Sequence, residues 1–437
     1  MQPIQVIPGS IPTRADRGRD ALAVVALLVS LALDWNADSI AVLRVDVAVV
    51  TLMSFVSLGL PAASRRGLFG SGWTPAKLRL TKMLIGVPYI VLVAVYLGWD
   101  VVSRWTEWDY GSTGLGPAVW IGLAGAVLAA QPRQSDLFDI APSDTDRTRA
   151  QSRTVLLALG VLFAIDAVSA AAISLYRFTD GLDGIAGVRV GVLDPVVAAL
   201  VALAWLGIVG RLLLAAAAGR VGAGLSLSLL GWSAASWALT VSIPGAPFES
   251  VDTVQLTYLG VGLLGGIGAA ASAPALWAPP ALTQRDYYWS PLGLVMAVAT
   301  LWVALSVVRL TLYSASTATL GAMMFFTIAI AGATLVRDRL AGSDVSQRGA
   351  LITLAAGLFG VGLAVLIVMG VRINWNYPAP MALWLIGIVV PAFIGWREST
   401  VARPGRAAPG PAPGPDGFVH WVPVSPGPQG PGDGMVR

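Results

Sequence analysis

Asp166 is the residue whose type and place most invite chemistry. It stands near the middle of Thr154 to Tyr176, a run otherwise apolar except for a threonine and two serines. An ionised aspartate at mid-bilayer costs roughly 2.5 to 3.5 kcal/mol even on the insertion scale, so its side chain is expected to face the bundle interior and to be paired, protonated or hydrated. Two readings follow. In the first, Asp166 is a buried ion-pair partner of Arg309, one of two arginines, with Arg211, that lie inside apolar runs near their ends. In the second, Asp166 takes up and releases a proton or ion during transport.

The same run leads into Arg177-Phe178-Thr179-Asp180-Gly181-Leu182-Asp183-Gly184-Ile185-Ala186-Gly187. The eight residues from Thr179 to Ala186 resemble the TDGLDG signature of the polyprenyl-phosphate sugar-1-phosphate transferases, multi-spanning enzymes that use Mg²⁺ to join a nucleotide sugar to a lipid phosphate. That resemblance implies a metal and catalytic role for Asp180 and Asp183. The chain departs from the family pattern in three ways. It has no adjacent Asp-Asp pair, its one histidine, His420, lies outside the apolar region, and the charge pattern below puts this loop on the outside, whereas the family's loop is cytoplasmic. The competing reading is an acidic, glycine-rich turn, and no metal or cofactor is expected.

Aromatic and amide residues collect at the outer ends of hairpins, in Asp34-Trp35-Asn36 and in Asn374-Trp375-Asn376-Tyr377. An interfacial aromatic belt uses these residue types. A site for a sugar or lipid headgroup would use the same ones, because ring faces stack on apolar faces while amides and carboxylates bind hydroxyls. Gly260 to Gly265 matches a dinucleotide fingerprint but lies in an apolar run without the strand that motif needs; Gly262 and Gly266 instead read as a small-residue face for close helix packing.

The elements that must hold these residues follow from composition. Of 437 residues 56% are hydrophobic and 12% charged, with no cysteine, far from the about 25% charge of soluble domains. About twelve apolar stretches near 20 residues each account for most of the length. They are placed at Ala21 to Leu33, with helix starting earlier near a capping Thr13, then at Val45 to Leu60, Met83 to Val101, Pro117 to Ala130, Thr154 to Tyr176 and Pro195 to Leu214. The rest fall at Leu225 to Ile243, Leu256 to Trp277, Pro291 to Leu312, Thr319 to Val336, Ala350 to Gly370 and Met381 to Trp396. Residues 1–20 read as a cytoplasmic segment, 21–396 as the membrane domain and 397–437 as a Pro- and Gly-rich, disordered cytoplasmic tail.

Orientation follows from the basic residues, which are retained on the cytoplasmic side. Of the 28 lysines and arginines, about 21 lie in the termini and one set of alternate loops, against about 5 in the other set. Both termini are therefore expected in the cytoplasm. The predicted fold is all-α, a polytopic protein of the cytoplasmic membrane, and the high arginine, alanine and glycine usage resembles that of uncharacterised multi-spanning proteins of high-GC, actinobacterial-type bacteria. The topology also resembles the major facilitator transporters, although the longest cytoplasmic loop is not between the sixth and seventh spans.

Function is expected to be transporter- or permease-like or lipid-handling, with a non-catalytic scaffold as the alternative and the transferase as a further one. Membrane lipids are the expected partners, a protein docking on the tail island Phe418 to Val424 is a further candidate, and no nucleic acid is expected.

Overall fold

The computed structural model of the chain describes residues 13–36, 39–69, 73–106, 115–138, 142–179, 194–241, 261–276, 283–312, 317–342, 347–370 and 379–401. Helix α1 (Arg14–Leu31) begins at a reciprocal cap: Thr13 Oγ1 accepts from the Asp16 N–H, and the Asp16 carboxylate accepts from the Thr13 N–H. This satisfies two of the groups that a helix start leaves open. A short antiparallel pair, β1 (Asp34–Asn36) and β2 (Ser39–Ile40), follows.

The remaining helices are α2 (Val45–Arg65), α3 (Pro75–Thr106), α4 (Pro117–Ala130), the single turn α5 (Ser135–Phe138), α6 (Pro142–Thr179), α7 (Asp194–Ala217) and α8 (Val221–Val241). After them come α9 (Val261–Ala271), α10 (Gln284–Leu312), α11 (Thr317–Gly342) and α12 (Arg348–Gly370). The last helix has three parts: α13 (Ala379–Trp384), a π turn (Leu385–Val389) and α14 (Val390–Val401).

Helix occupies each of the apolar stretches read from the sequence. Among the described residues eight helices are long and apolar enough to cross a membrane, namely α2, α3, α6, α7, α10, α11, α12 and the composite last one. The chain is thus an almost wholly α-helical, multi-pass protein of the cytoplasmic membrane.

Several boundaries differ from those expected. Helix α6 starts at Pro142 rather than Thr154, α3 at Pro75 rather than Met83, and α10 at Gln284 rather than Pro291. Hydropathy marks the residues that partition into lipid, not those that hold helical dihedrals. The polar leaders begin instead with a proline at the first helical position or, for α10, with Thr283 and Asp286 in mutual hydrogen bonds. Of the expected stretch Leu256 to Trp277, α9 fills the described part.

Helices α4, α8 and α9 form the centre. α1, α2 and α3 pack around α4, while α6 packs on α7, α9 and α3, and α10 packs on α11 and α8. Every residue of α4 from Pro117 to Ala129 is buried, so this helix has no lipid-facing stripe. Its 14 residues reach about 21 Å at about 1.5 Å each, short of a hydrocarbon core of about 30 Å.

Non-helical backbone at membrane depth is tolerated only where protein surrounds it, and protein surrounds both ends of α4. At one end the Gly116 N–H donates to the Trp35 carbonyl of β1 at 2.7 Å. At the other, residues 131–136 are bound by side chains from α1 and α3, and the Arg133 side chain donates to the Leu58 carbonyl of α2. Close backbone approach completes the centre: a Cβ on Gly231 of α8 would fall 2.3 Å from the Leu264 carbonyl oxygen and 2.5 Å from the Gly268 Cα of α9. Similarly, Gly262 and Gly266 of α9 lie against Trp120 and Leu123 of α4.

Candidate functional site

Asp166 lies in α6 and is 2% exposed. Leu159, Phe163 and Ala170 share its side of the helix at helical spacing and are buried with it. Leu159 and Leu123 of α4 both approach Gly266 of α9, which places these three at one depth. α4 runs antiparallel to α6, since the ends of both α4 and α9 meet the start of α6 through Gln131 on Ala269 and Arg149 on Ala275. Asp166, seven residues past Leu159, therefore stands level with the first turn of α4. The open N–H groups of that turn carry the positive end of the helix dipole.

Of the two arginines within the apolar runs, Arg211 is exposed on α7. Arg309 sits on α10, whose extended packing is with α11, α8 and α7, whereas α6 packs on α7, α9 and α3. The side chain of Arg309 lies outside the described residues.

A second polar group, which the sequence reading did not single out, closes the end of α4. The buried Asp16 carboxylate accepts from the backbone N–H of Gln134 at 2.7 Å and of Ser135 at 3.2 Å, besides its bonds to Thr13. Arg19 donates to the Pro132 carbonyl at 2.9 Å and to Gln131 Oε1. Lys82 of α3, also buried, donates to the Gln131 carbonyl at 2.8 Å. Arg133 pairs with Asp20 at 2.5 Å, and the Gln131 amide reaches the Ala269 carbonyl of α9 at 3.0 Å.

The C-terminus of α4 thus meets cations that complement its negative dipole end, and that of α9 meets the Gln131 amide. Burial works against ionisation of Asp16, but the hydrogen bonds from Thr13, Gln134 and Ser135 outweigh it and hold its carboxyl below the usual aspartate value. The sequence signal for this group was the Thr13-x-x-Asp16 spacing, together with Lys82 as one of two lysines in the chain.

The same end of the molecule carries a third group. Glu398 of α14 is buried and accepts from the Tyr288 hydroxyl of α10 at 2.7 Å, with Arg348 of α12 at 4.0 Å. Nearby, Arg337 of α11 lies 4.0 Å from the ring centre of Trp289, and Arg285 lies 5.1 Å from it.

At the opposite end, Trp35 is buried edge-on against Tyr89 and Tyr96, with ring centres 6.3 and 5.6 Å away. It plugs the core above α4 rather than presenting a ring face for stacking. Asp34 beside it is exposed, and Arg44, Asp46 and Tyr96 form a small polar group next to the pair of strands. Asp180, Asp183, Asn374 and Trp375 lie outside the described residues, as does the side chain of Asn36. Among the described residues no group of three or more His, Asp or Glu could hold a metal ion.

No curated protein and no solved structure matches the chain. The family described as "Domain of unknown function (DUF7937)" matches residues 16–397. That match takes in α1 to α14 almost completely, from the Asp16 cap to the last turns of the bundle, and so the chain belongs to the DUF7937 family.

Proposed function

We propose that the chain is a transporter- or permease-like protein with twelve membrane crossings, both termini in the cytoplasm, and Asp166 as its ionisable intramembrane group. The observation that carries the reading is the burial of Asp166, 2% exposed, in the middle of the apolar part of a membrane-length helix. Intramembrane acids are costly and mark ion or proton pathways more often than they mark packing. Twelve crossings are supported by the way the ends gather. The starts of α1 and α3 meet the end of α4, the start of α6 meets the end of α9, and the start of α10 meets the end of α14. These are the arginine-rich ends.

The test is reconstitution of the full chain into liposomes with a trapped pH dye, an imposed membrane potential and an external mixture of small cytosolic metabolites and lipid precursors. Wild type should acidify the lumen in a substrate-dependent way, and Asp166→Asn, which keeps the shape but cannot ionise, should not. Folded wild-type protein that behaves like empty liposomes with every fraction would sink the reading.

Close contacts between Gly231 and Gly268 and between Gly362 and Gly387 favour a second reading, a rigid scaffold with the tail island Phe418 to Val424 as its docking segment. In that case Asp166→Asn would change stability alone. The transferase reading would require Mg²⁺ chemistry at Asp180 and Asp183 and is the least supported.

A further inference from the structure

The cations at the arginine-rich end fall into two kinds. Around the end of α4 each has an acid or a carbonyl to meet: Arg133 meets Asp20 at 2.5 Å, Arg79 meets Asp144 at 3.6 Å, and Arg19 and Lys82 meet carbonyl oxygens. Between α10 and α11 the pattern is different. Arg285 and Arg337 converge on one indole, that of Trp289, and among the described residues neither has an ion-pair partner.

Of the nearby acids, Asp286 and Glu398 are already engaged, while Asp338, exposed beside Arg337, acts on it only through its charge. Asp286 accepts from the Thr283 N–H and hydroxyl at 2.9 and 2.8 Å, and Glu398 accepts from Tyr288. Arg337 has a buried Nε without a hydrogen-bond partner, and its Nη1 meets the sulfur of Met296 at 3.6 Å. Two guanidiniums on one ring, neither ion-paired by an acid among the described residues, suit an anion from outside.

Position narrows what that anion is. Trp289 is five residues from the start of α10 and Arg337 five from the end of α11, so each lies about 7 to 8 Å inside its helix end, near the level where headgroups meet hydrocarbon. Trp289 and Arg337 are half-buried and Arg285 is exposed. The two helices also carry strongly exposed apolar residues, Val307 on α10 and Met324, Ile328 and Leu335 on α11, which is what a lipid-facing pair of helices presents.

We propose that Arg285, Trp289 and Arg337 form a site for the phosphate of an anionic phospholipid in the leaflet on the arginine-rich side. Guanidinium forks match phosphate oxygens in pairs, and the indole holds the cations in place through its ring face at the interface where tryptophan is favoured. The site does not depend on whether the chain transports anything.

The test uses the full chain, delipidated in detergent and titrated separately with phosphatidylglycerol, phosphatidylcholine and inorganic phosphate, read by native mass spectrometry and thermal unfolding. Wild type should retain phosphatidylglycerol in preference to phosphatidylcholine and unfold at higher temperature with it. The double variant Arg285→Gln with Arg337→Gln should lose about fivefold in affinity for each guanidinium removed. Arg220→Gln, which removes an exposed arginine outside the site, should leave binding unchanged.

Should the glutamine variant fail to fold, the double lysine variant keeps the charges and must still prefer phosphatidylglycerol. Wild-type affinity in the double glutamine variant would overturn the proposal, and so would an equal loss in Arg220→Gln. A rise in unfolding temperature with inorganic phosphate equal to that with phosphatidylglycerol would overturn the lipid assignment in favour of a soluble anion.

Discussion

At the residue scale, Asp16 does more for the bundle than its position in a polar N-terminal segment suggests. One carboxylate caps α1 through Thr13 and also holds the chain leaving α4 through the N–H groups of Gln134 and Ser135. Hydrogen bonds to a charged group contribute about 1.5 to 3 kcal/mol each, so Asp16→Ala should lower stability by about 2 to 4 kcal/mol, measured as thermal or denaturant unfolding in detergent. The pH dependence has a definite sign. Its carboxyl is held below the ordinary aspartate value by the hydrogen bonds it accepts, so its contribution is complete above the unfolded value and is lost as pH falls through the folded one. Asp16→Asn should therefore flatten the acid limb of the stability profile, and an unchanged limb would show that the carboxylate is not responsible.

Asp166 and Thr13 were legible in the sequence because each is a local anomaly, an acid in an apolar run and a hydroxyl ahead of a helix. Gln131 and Arg133 were not. Whether a polar residue at a span end faces water or folds onto a neighbouring helix depends on contacts more than a hundred residues away, such as Gln131 with Ala269. Trp35 misleads for the same reason: its composition suits an interfacial belt, but its ring is buried.

At the element scale, the apolar runs placed the helices well and their ends poorly. The early starts of α3, α6 and α10 come from capping and first-turn prolines, which hydropathy does not register. The centre of the bundle depends on glycines whose neighbours are backbone atoms, and this gives a contrast within one residue type. Gly231→Ala would drive a methyl group against the Leu264 carbonyl and the Gly268 Cα. Neither can move without parting α8 from α9, so the cost should be about 1 to 3 kcal/mol or more. Gly357→Ala on α12 would meet nothing within 4 Å and should be neutral or stabilising by up to about 1 kcal/mol, the helix preference of alanine over glycine. Thermal unfolding of the two variants side by side checks this, and equal effects would mean that α8 and α9 are not in close backbone contact.

At the scale of the whole molecule, charge and packing give independent arguments for one threading. On the proposed threading the arginine asymmetry puts the arginine-rich ends in the cytoplasm. The side-chain contacts say which ends lie together, and they select the same ones: Asp16, Arg19, Lys82, Gln131, Arg149, Tyr288, Arg348 and Glu398 all sit at or near those termini. The proposed threading, with the start of α1 and the end of α14 on one side, requires an even number of crossings. A reporter active only in the cytoplasm should accordingly work when fused after Arg66, Arg147 or Arg348, and one active only outside should work after Gly114 or Asp183. The fusion at Asp183 is the most informative. External activity there agrees with α6 running outward from Pro142, whereas cytoplasmic activity would reverse α6, break the alternation on which the shared face rests, and return Asp180 and Asp183 to the side where a nucleotide sugar could reach them.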